Sequence, residues 1–166
     1  MFQVGDAVSY GTSGVCTIAD KKRMKLAGQP CECYILQPVY DSTMKICVPC
    51  NSKVLLERMR ALPSKQEILE LLHEPAPEHE PDPEVRKERY RQTLQSGDRH
   101  ALLRMIRDIY TERKNRHAAG KQLSSYEDTA LREAQNILHS EVAYTMGIDP
   151  REVPDFIAGI LEGAKA

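Results

Sequence analysis

Tryptophan is absent from this chain of 166 residues, and phenylalanine occurs only twice. Within its one strongly basic stretch the only aromatic residues are Tyr90 and Tyr110, so a base-stacking platform of the kind that grips single-stranded RNA is not expected. No apolar run approaches the ~20 residues of a bilayer-spanning helix. The opening Met1-Phe2-Gln3-Val4-Gly5-Asp6 has neither the charged n-region nor the apolar stretch of a signal peptide, which predicts a cytosolic protein with no membrane partner. The cysteines are five, an odd number, and all of them (Cys16, Cys31, Cys33, Cys47 and Cys50) lie in the first third of the chain. That argues against a secreted disulfide framework. No Gly-x-Ser-x-Gly elbow, phosphate-binding glycine loop or paired-carboxylate pattern occurs in a credible context. Neither an enzymatic activity nor a cofactor is expected.

What is present is charge in blocks. Lys+Arg and Asp+Glu nearly cancel, 23 against 24. Residues 1–63 nevertheless carry eight basic and five acidic side chains, and 64–84 carry one and seven. Residues 85–122 then hold eleven basic against four acidic, and 123–166 three against eight. A basic block inside a neutral chain attracts a polyanion locally without making the whole molecule adhesive. A solvated helix surface is the competing reading of the same block.

The first sixty or so residues read as strands. Ala7-Val8-Ser9-Tyr10, a glycine turn at Gly11 to Gly14, and Val15-Cys16-Thr17-Ile18 form a hairpin pattern,. Cys33 to Val39 and Met44 to Val48 are β-prone runs joined by Tyr40-Asp41-Ser42-Thr43, and Leu56 to Leu62 offers a fifth strand before Pro63,. A meander of about five strands is the size of a small open barrel.

Beyond Pro63 the period becomes helical. Ser64-Lys65-Gln66-Glu67 and Ser124-Ser125-Tyr126-Glu127 fit capping boxes, and Asp98 fits an N-cap,. Pro75, Pro77, Pro81 and Pro83 make 73–83 an extended acidic loop before a helix over Glu84 to Gln95,. Leu102, Leu103, Ile106, Ile109 and Tyr110 form one core-facing stripe, and Ala130, Leu131, Ala134, Ile137, Leu138 and Val142 another,. Pro154 at a first helical turn leads Phe156, Ile157, Ile160 and Leu161 into a last helix ending at Gly163,. The expected fold class is therefore α+β and multidomain, with a β module over 1–63 and an all-α module over 64–166.

Two constellations carry possible chemistry. Cys31-x-Cys33 and Cys47-x-x-Cys50 supply four thiolates for tetrahedral zinc,. The knuckle glycines are missing and Cys33 and Cys47 sit in strand patterns, so structural strand cysteines are preferred and zinc is the alternative. His73-Glu74 and Glu78-His79 do not fit a His-Glu-x-x-His pair, and the prolines between them forbid one helical face,. The basic helices point elsewhere. Arg86, Lys87, Arg89 and Arg91 precede Ser96-Gly97-Asp98, and Arg99, Arg104, Arg107, Arg113, Lys114 and Arg116 follow it. Two consecutive cationic helices are suited to phosphate contact.

Several stretches, in order, are similar to one family. They are Phe2-Gln3-Val4-Gly5-Asp6 with Val8, Tyr10, Gly14 and Val15; Tyr34-Ile35-Leu36-Gln37-Pro38-Val39-Tyr40; and Lys45-Ile46-Cys47-Val48-Pro49. Arg89-Tyr90, Leu94, Ser96-Gly97-Asp98, Leu102-Leu103, Ile106-Arg107, Tyr110, Glu133-Ala134, Ile137-Leu138 and Glu141 continue the series. Along essentially its whole length the chain resembles the CarD/CdnL family of bacterial transcription regulators. The resemblance implies an SH3/Tudor-like N-terminal barrel that pairs an edge strand with the RNA polymerase β subunit, followed by a helical domain that touches promoter DNA and stabilises the open complex.

By that resemblance the polymerase-binding residues are Lys45, Ile46, Cys47, Val48 and Pro49, with Lys25 nearby, in a β-augmentation mode. The DNA-binding residues are His79, Arg86, Lys87, Arg89, Arg91 and Arg132. His79 falls at the place of a tryptophan that many members use as a minor-groove wedge, Cys47 where an arginine is common, and Glu133 where a lysine is. The resemblance further implies a cytoplasmic, nucleoid-associated monomer, with a strand-exchanged dimer as the alternative. Two other readings stay open: an interaction module with a different partner, and a zinc-stabilised stress or redox regulator.

Overall fold

The glycine turn expected at Gly11 to Gly14 is a single 3-10 turn over Gly11–Ser13 joining strands β1 (Ala7–Tyr10) and β2 (Val15–Leu26) in the computed structural model, which describes residues 2–165, with side chains through residue 160. Strands β3 (Gln29–Pro38), β4 (Ile46–Pro49) and β5 (Met59–Arg60) complete one antiparallel sheet in the order β4-β3-β2-β1-β5. Its inner face is apolar at every second position: Val8 and Tyr10, Cys16 and Ile18, Tyr34 and Leu36, Val48 and Met59 form one buried cluster. That alternation is the period of a half-buried strand. The order leaves β4 and β5 at the two edges, and among the described residues no pairing joins them.

Three boundaries in the sheet differ from the sequence reading. The β2–β3 hairpin runs on to Leu26 opposite Gln29, well past Ile18. The extension, Asp20-Lys21-Lys22-Arg23-Met24-Lys25, lacks apolar alternation because both its faces are largely solvated, and it turns through Ala27 and Gly28, both at positive φ. Alanine is a poor signal for such a turn. The run expected as a fifth strand from Leu56 begins instead as the end of a one-turn helix, α1 (Lys53–Leu56), capped by Ser52. Only Met59 and Arg60 pair with β1. Strand β4 starts at Ile46, not Met44, because the Asp41 carboxylate accepts bonds from the amide and hydroxyl of Thr43 and holds that segment as a turn.

The helices begin where their caps sit. Ser64 accepts from the Glu67 amide to start α2 (Lys65–Leu72), and Asp82 from Glu84 to start α3 (Pro83–Ser96). Asp98 and Ser124 do the same for α4 (Arg99–Ala118) and α5 (Ser125–Met146). A 3-10 turn at Pro150–Glu152 leads into α6 (Val153–Lys165), which runs past the expected stop at Gly163. Leu102, Leu103, Ile106 and Ile109 of α4 pack on Ala130, Leu131, Ala134, Ile137 and Leu138 of α5, with Tyr90 of α3. Tyr110, expected in that core, is exposed. It stands at the rim, where its hydroxyl accepts a bond from Gln135 and Arg113 stacks on its ring, so the phenol stays wet,. Phe156, Ile157 and Ile160 of α6 pack against Ile68, Leu72 and Val142, whereas the Leu161 side chain lies outside the described residues.

Sheet and helices meet through polar contacts. The Val15 amide donates to Ser140 Oγ at 3.2 Å, Asn136 donates to the Thr12 carbonyl at 2.9 Å, and Thr145 to the Pro63 carbonyl at 3.0 Å. Arg60 reaches the Gly97 carbonyl and Arg99 the Ala61 carbonyl. Gly14 also approaches closely: at φ +76°, a Cβ there would lie 2.5 Å from Ser140 Oγ.

Candidate interfaces on the edge strand and the basic helices

Strand β4 is hydrogen-bonded to β3 on one side, and among the described residues its other side has no strand partner. An edge of this kind is a template for a strand from another chain. Val48 is fully buried and contributes only its backbone, while Ile46, Cys47 and Pro49 are half-buried and Lys45 is exposed. Pro49 closes the usable edge because it has no N–H. Lys25 is not beside this strand: it faces Pro30, whereas β4 ends opposite Cys33, so it lies farther along the ribbon and one strand removed.

The basic helices divide into cations that face out and cations that hold the fold. Arg86, expected among the outward ones, is 2% exposed. Its guanidinium lies 3.3 Å from Glu112 and 3.7 Å from Glu127, and donates to the carbonyls of Glu80 and Pro81. Arg86 is thereby corrected from a surface contact to a core ion. The helical period explains it, since Arg86 precedes the buried Tyr90 by four residues and shares its stripe. Arg99, Arg107 and Arg116 are likewise engaged, on Glu141, on the carbonyls of Leu72 and Glu74, and on Glu112 and Glu127.

The exposed cations of these helices are Lys87, Arg89 and Arg91 on α3, Arg104 and Lys114 on α4 and Arg132 on α5. They do not form one face. Arg89 and Arg104 line a cleft of about 550 Å³ between α3 and α4, whereas Arg91 lines another of about 700 Å³ with Arg58, Arg60 and Tyr126 at the joint with the sheet. Lys87 stacks over Tyr126. Two residues along a helix turn a side chain through roughly 200°, which separates Arg89 from Lys87 and Arg91. Arg104 and Arg58 were legible only as unassigned cations. Arg89, Arg91 and Arg132 each touch a carboxylate, on Glu80, Glu88 and Asp128, but at 60%, 54% and 78% side-chain exposure. Such pairs exchange readily for another anion.

His79 is not exposed as a wedge would be. Its Nδ1 lies 2.5 Å from Asp108 and its Nε2 3.0 Å from Glu112. Tyr90 donates to the other oxygen of Asp108 at 2.6 Å, and burial raises its hydroxyl pKa. Burial also pushes the Glu112 carboxyl up, but Arg116, Arg86 and His79 outweigh it and hold the group below the ordinary 4.5. A depressed carboxylate stabilises the fold above its unfolded pKa and loses that contribution as pH falls through the folded value. Urea midpoints should hold steady down to about pH 5 and fall below about pH 4, with a shallower fall in Glu112→Gln. An identical acid limb in parent and variant contradicts this assignment.

The four cysteines considered for zinc are divided between the two faces of the sheet. Cys50 packs with the inner-face cluster, while Cys31, Cys33 and Cys47 fall on the alternate, outer positions of β3 and β4. Among the described residues no group of three or more His, Cys, Asp or Glu side chains is placed to hold a metal ion. Nor is any described helix long and apolar enough to cross a membrane.

Residues 67–158 match the family model described as CarD, C-terminal domain, and residues 2–60 match the model described as CarD-like/TRCF RID domain. No curated protein matches the chain.

Proposed function

The chain belongs to the CarD/CdnL family, and from that premise we propose that it docks on the RNA polymerase β subunit through β4 and contacts promoter DNA through its outward cations, stabilising the open complex. CarD-like domains act in transcription regulation and RNA polymerase interaction. The observation that carries the reading is the unpartnered edge of β4 within the stretch matched by the RID model. A strand added there gains main-chain hydrogen bonds, and Ile46, Cys47 and Lys45 supply the accompanying side chains. The sheet with its partner strand is then a tether, and the helices reach the duplex. A protein that binds the open complex better than the closed one shifts the equilibrium by that difference, with no covalent step.

The cations proposed to face DNA are Lys87, Arg89, Arg91 and Arg132, joined by Arg104 and without Arg86. His79, held between two carboxylates, acts through the loop it anchors and not as a wedge. Phosphate contacts of this kind release counterions.

Binding of the full chain to purified β subunit tests the tether. Ile46→Glu, which places a charge beside the edge, should weaken it by about 2 kcal/mol or more, while the far-edge change Arg58→Ala leaves it intact. Equal binding by a folded Ile46→Glu chain removes the edge strand from the interface. For DNA, Lys87→Ala and Arg91→Ala should each lower the slope of log affinity against log salt by about one. An unchanged slope assigns those cations to the surface alone.

A further inference from the structure

The outer face of the sheet carries a row of sulfur atoms, of which the proposed docking edge uses only Cys47. Met24 faces Cys31 across the β2–β3 pair, Cys33 faces Pro49, and Ile35 faces Cys47 across the β3–β4 pair. Cys33 is fully buried, its thiol donating to the Cys31 carbonyl at 3.8 Å. Cys47 is half-exposed, and its sulfur lies 3.9 Å from that of Met24.

We propose that Cys33 and Cys47 are a redox pair that closes to a reversible disulfide when the chain meets a peroxide. The strand geometry selects this pair. Cys31 and Cys33 are two positions apart in one strand, held roughly 6.6 Å apart with side chains parallel by the β ladder. Cys50 packs with the inner-face cluster, and Cys16 is buried there. Cys33 and Cys47 are diagonal neighbours on adjacent strands, typically ~7 Å between Cα atoms, at the upper end of what a disulfide spans. The bond therefore draws β4 toward β3. Among the described residues this strand is paired on one side only, which leaves its other side free of a ladder that would resist the shift. A bond formed under such strain is readily reduced, the behaviour of a switch and not of a structural staple.

The two sulfurs have different roles. Burial, with the neighbouring thiols, pushes the Cys33 thiol up to about 12, so it stays protonated while Cys47 meets solvent. The Cys47 thiolate attacks one peroxide oxygen; the O–O bond breaks and the departing hydroxide takes up the thiol's proton as water, leaving a sulfenic acid. The Cys33 sulfur then attacks the Cys47 sulfur; the S–O bond breaks, and the hydroxide leaves with the Cys33 proton as a second water. Two thiols are oxidised by two electrons and one peroxide is reduced to two waters. The consequence for docking rests on the reading of β4 as the polymerase edge: a shifted β4 presents its backbone groups out of register with an incoming strand.

Hydrogen peroxide added to the full chain, followed by non-reducing peptide mass spectrometry, tests the bond. The expected result is a mass lower by two hydrogens, a linked pair of peptides containing Cys33 and Cys47, and full reversal by dithiothreitol. Cys47→Ser should abolish the change and Cys31→Ser should leave it. Oxygen added to Cys47 with Cys33 still free, no reaction at all, or a linkage through another cysteine overturns the proposal. Binding of reduced and oxidised chain to the β subunit is read separately. A several-fold drop on oxidation, restored by dithiothreitol, supports the coupling to docking. Equal binding by both forms overturns that coupling alone, and no binding by the reduced form overturns the docking reading while the mapped bond stands.

Discussion

Arg86→Ala loses on the order of 3–5 kcal/mol of unfolding free energy, the cost of breaking a buried ion pair from one side. Arg86, itself 2% exposed, neutralises Glu112 and Glu127 and donates to two carbonyls of the proline-rich loop. Truncation leaves Arg116 as the remaining guanidinium on those carboxylates and strands the Glu80 and Pro81 carbonyls. Unfilled volume beside Tyr90 adds to the loss. Lys87→Ala, one residue along, stays within about 0.5 kcal/mol of the parent because its side chain is on the surface. Urea unfolding of the two variants, set beside their DNA salt slopes, separates a core ion from a phosphate contact. An Arg86→Ala chain as stable as its parent but weaker on DNA reverses the assignment.

Arg99→Ala is the second large loss, also of the order of 3–5 kcal/mol. Glu141 is fully buried on α5, and the Arg99 guanidinium donates to its Oε2 at 2.6 Å; its Oε1 has no hydrogen-bond partner. Arg60 is the other cation facing it, and burial holds that guanidinium below its usual pKa despite Glu141 nearby. Removing Arg99 leaves a buried carboxylate at the joint of sheet and helices. It also cuts the bond to the Ala61 carbonyl, one of few that cross from one half to the other. Glu141→Gln added to Arg99→Ala should recover much of the loss, since a neutral amide is far less costly to bury unpaired. Hydrogen exchange should show the sheet and the helices opening together in the parent and separately in Arg99→Ala. A double variant no more stable than the single one locates the cost elsewhere than in the stranded charge.

These two arginines mark where the residues could and could not be read from the chain alone. Both were visible as members of a cationic block, and a block says nothing of direction. For Arg86 the helical period carries a direction, since it stands four residues before Tyr90, which is buried,. For Arg99 there was none, because its partner Glu141 lies 42 positions away. Tyr110 shows the converse error: its spacing fitted the stripe, yet a phenol at the rim with Gln135 and Arg113 to engage does better wet than buried,.

By itself the sequence determined the elements with strong local signals. The caps at Ser64, Asp98 and Ser124, the prolines of the loop, the Gly11 to Gly14 turn and the two apolar stripes are each set within a few residues by backbone sterics and hydrogen bonding,. It missed the outer half of the β2–β3 ribbon, where solvent on both faces erases the alternation. Only the tertiary structure decided which cations face outward, that His79 is bound between Asp108 and Glu112, that the four cysteines part to different sides of the sheet, and that β4 is left with an open edge. Each depends on charges or strands brought together from distant positions, and no local preference encodes a partner that folding supplies.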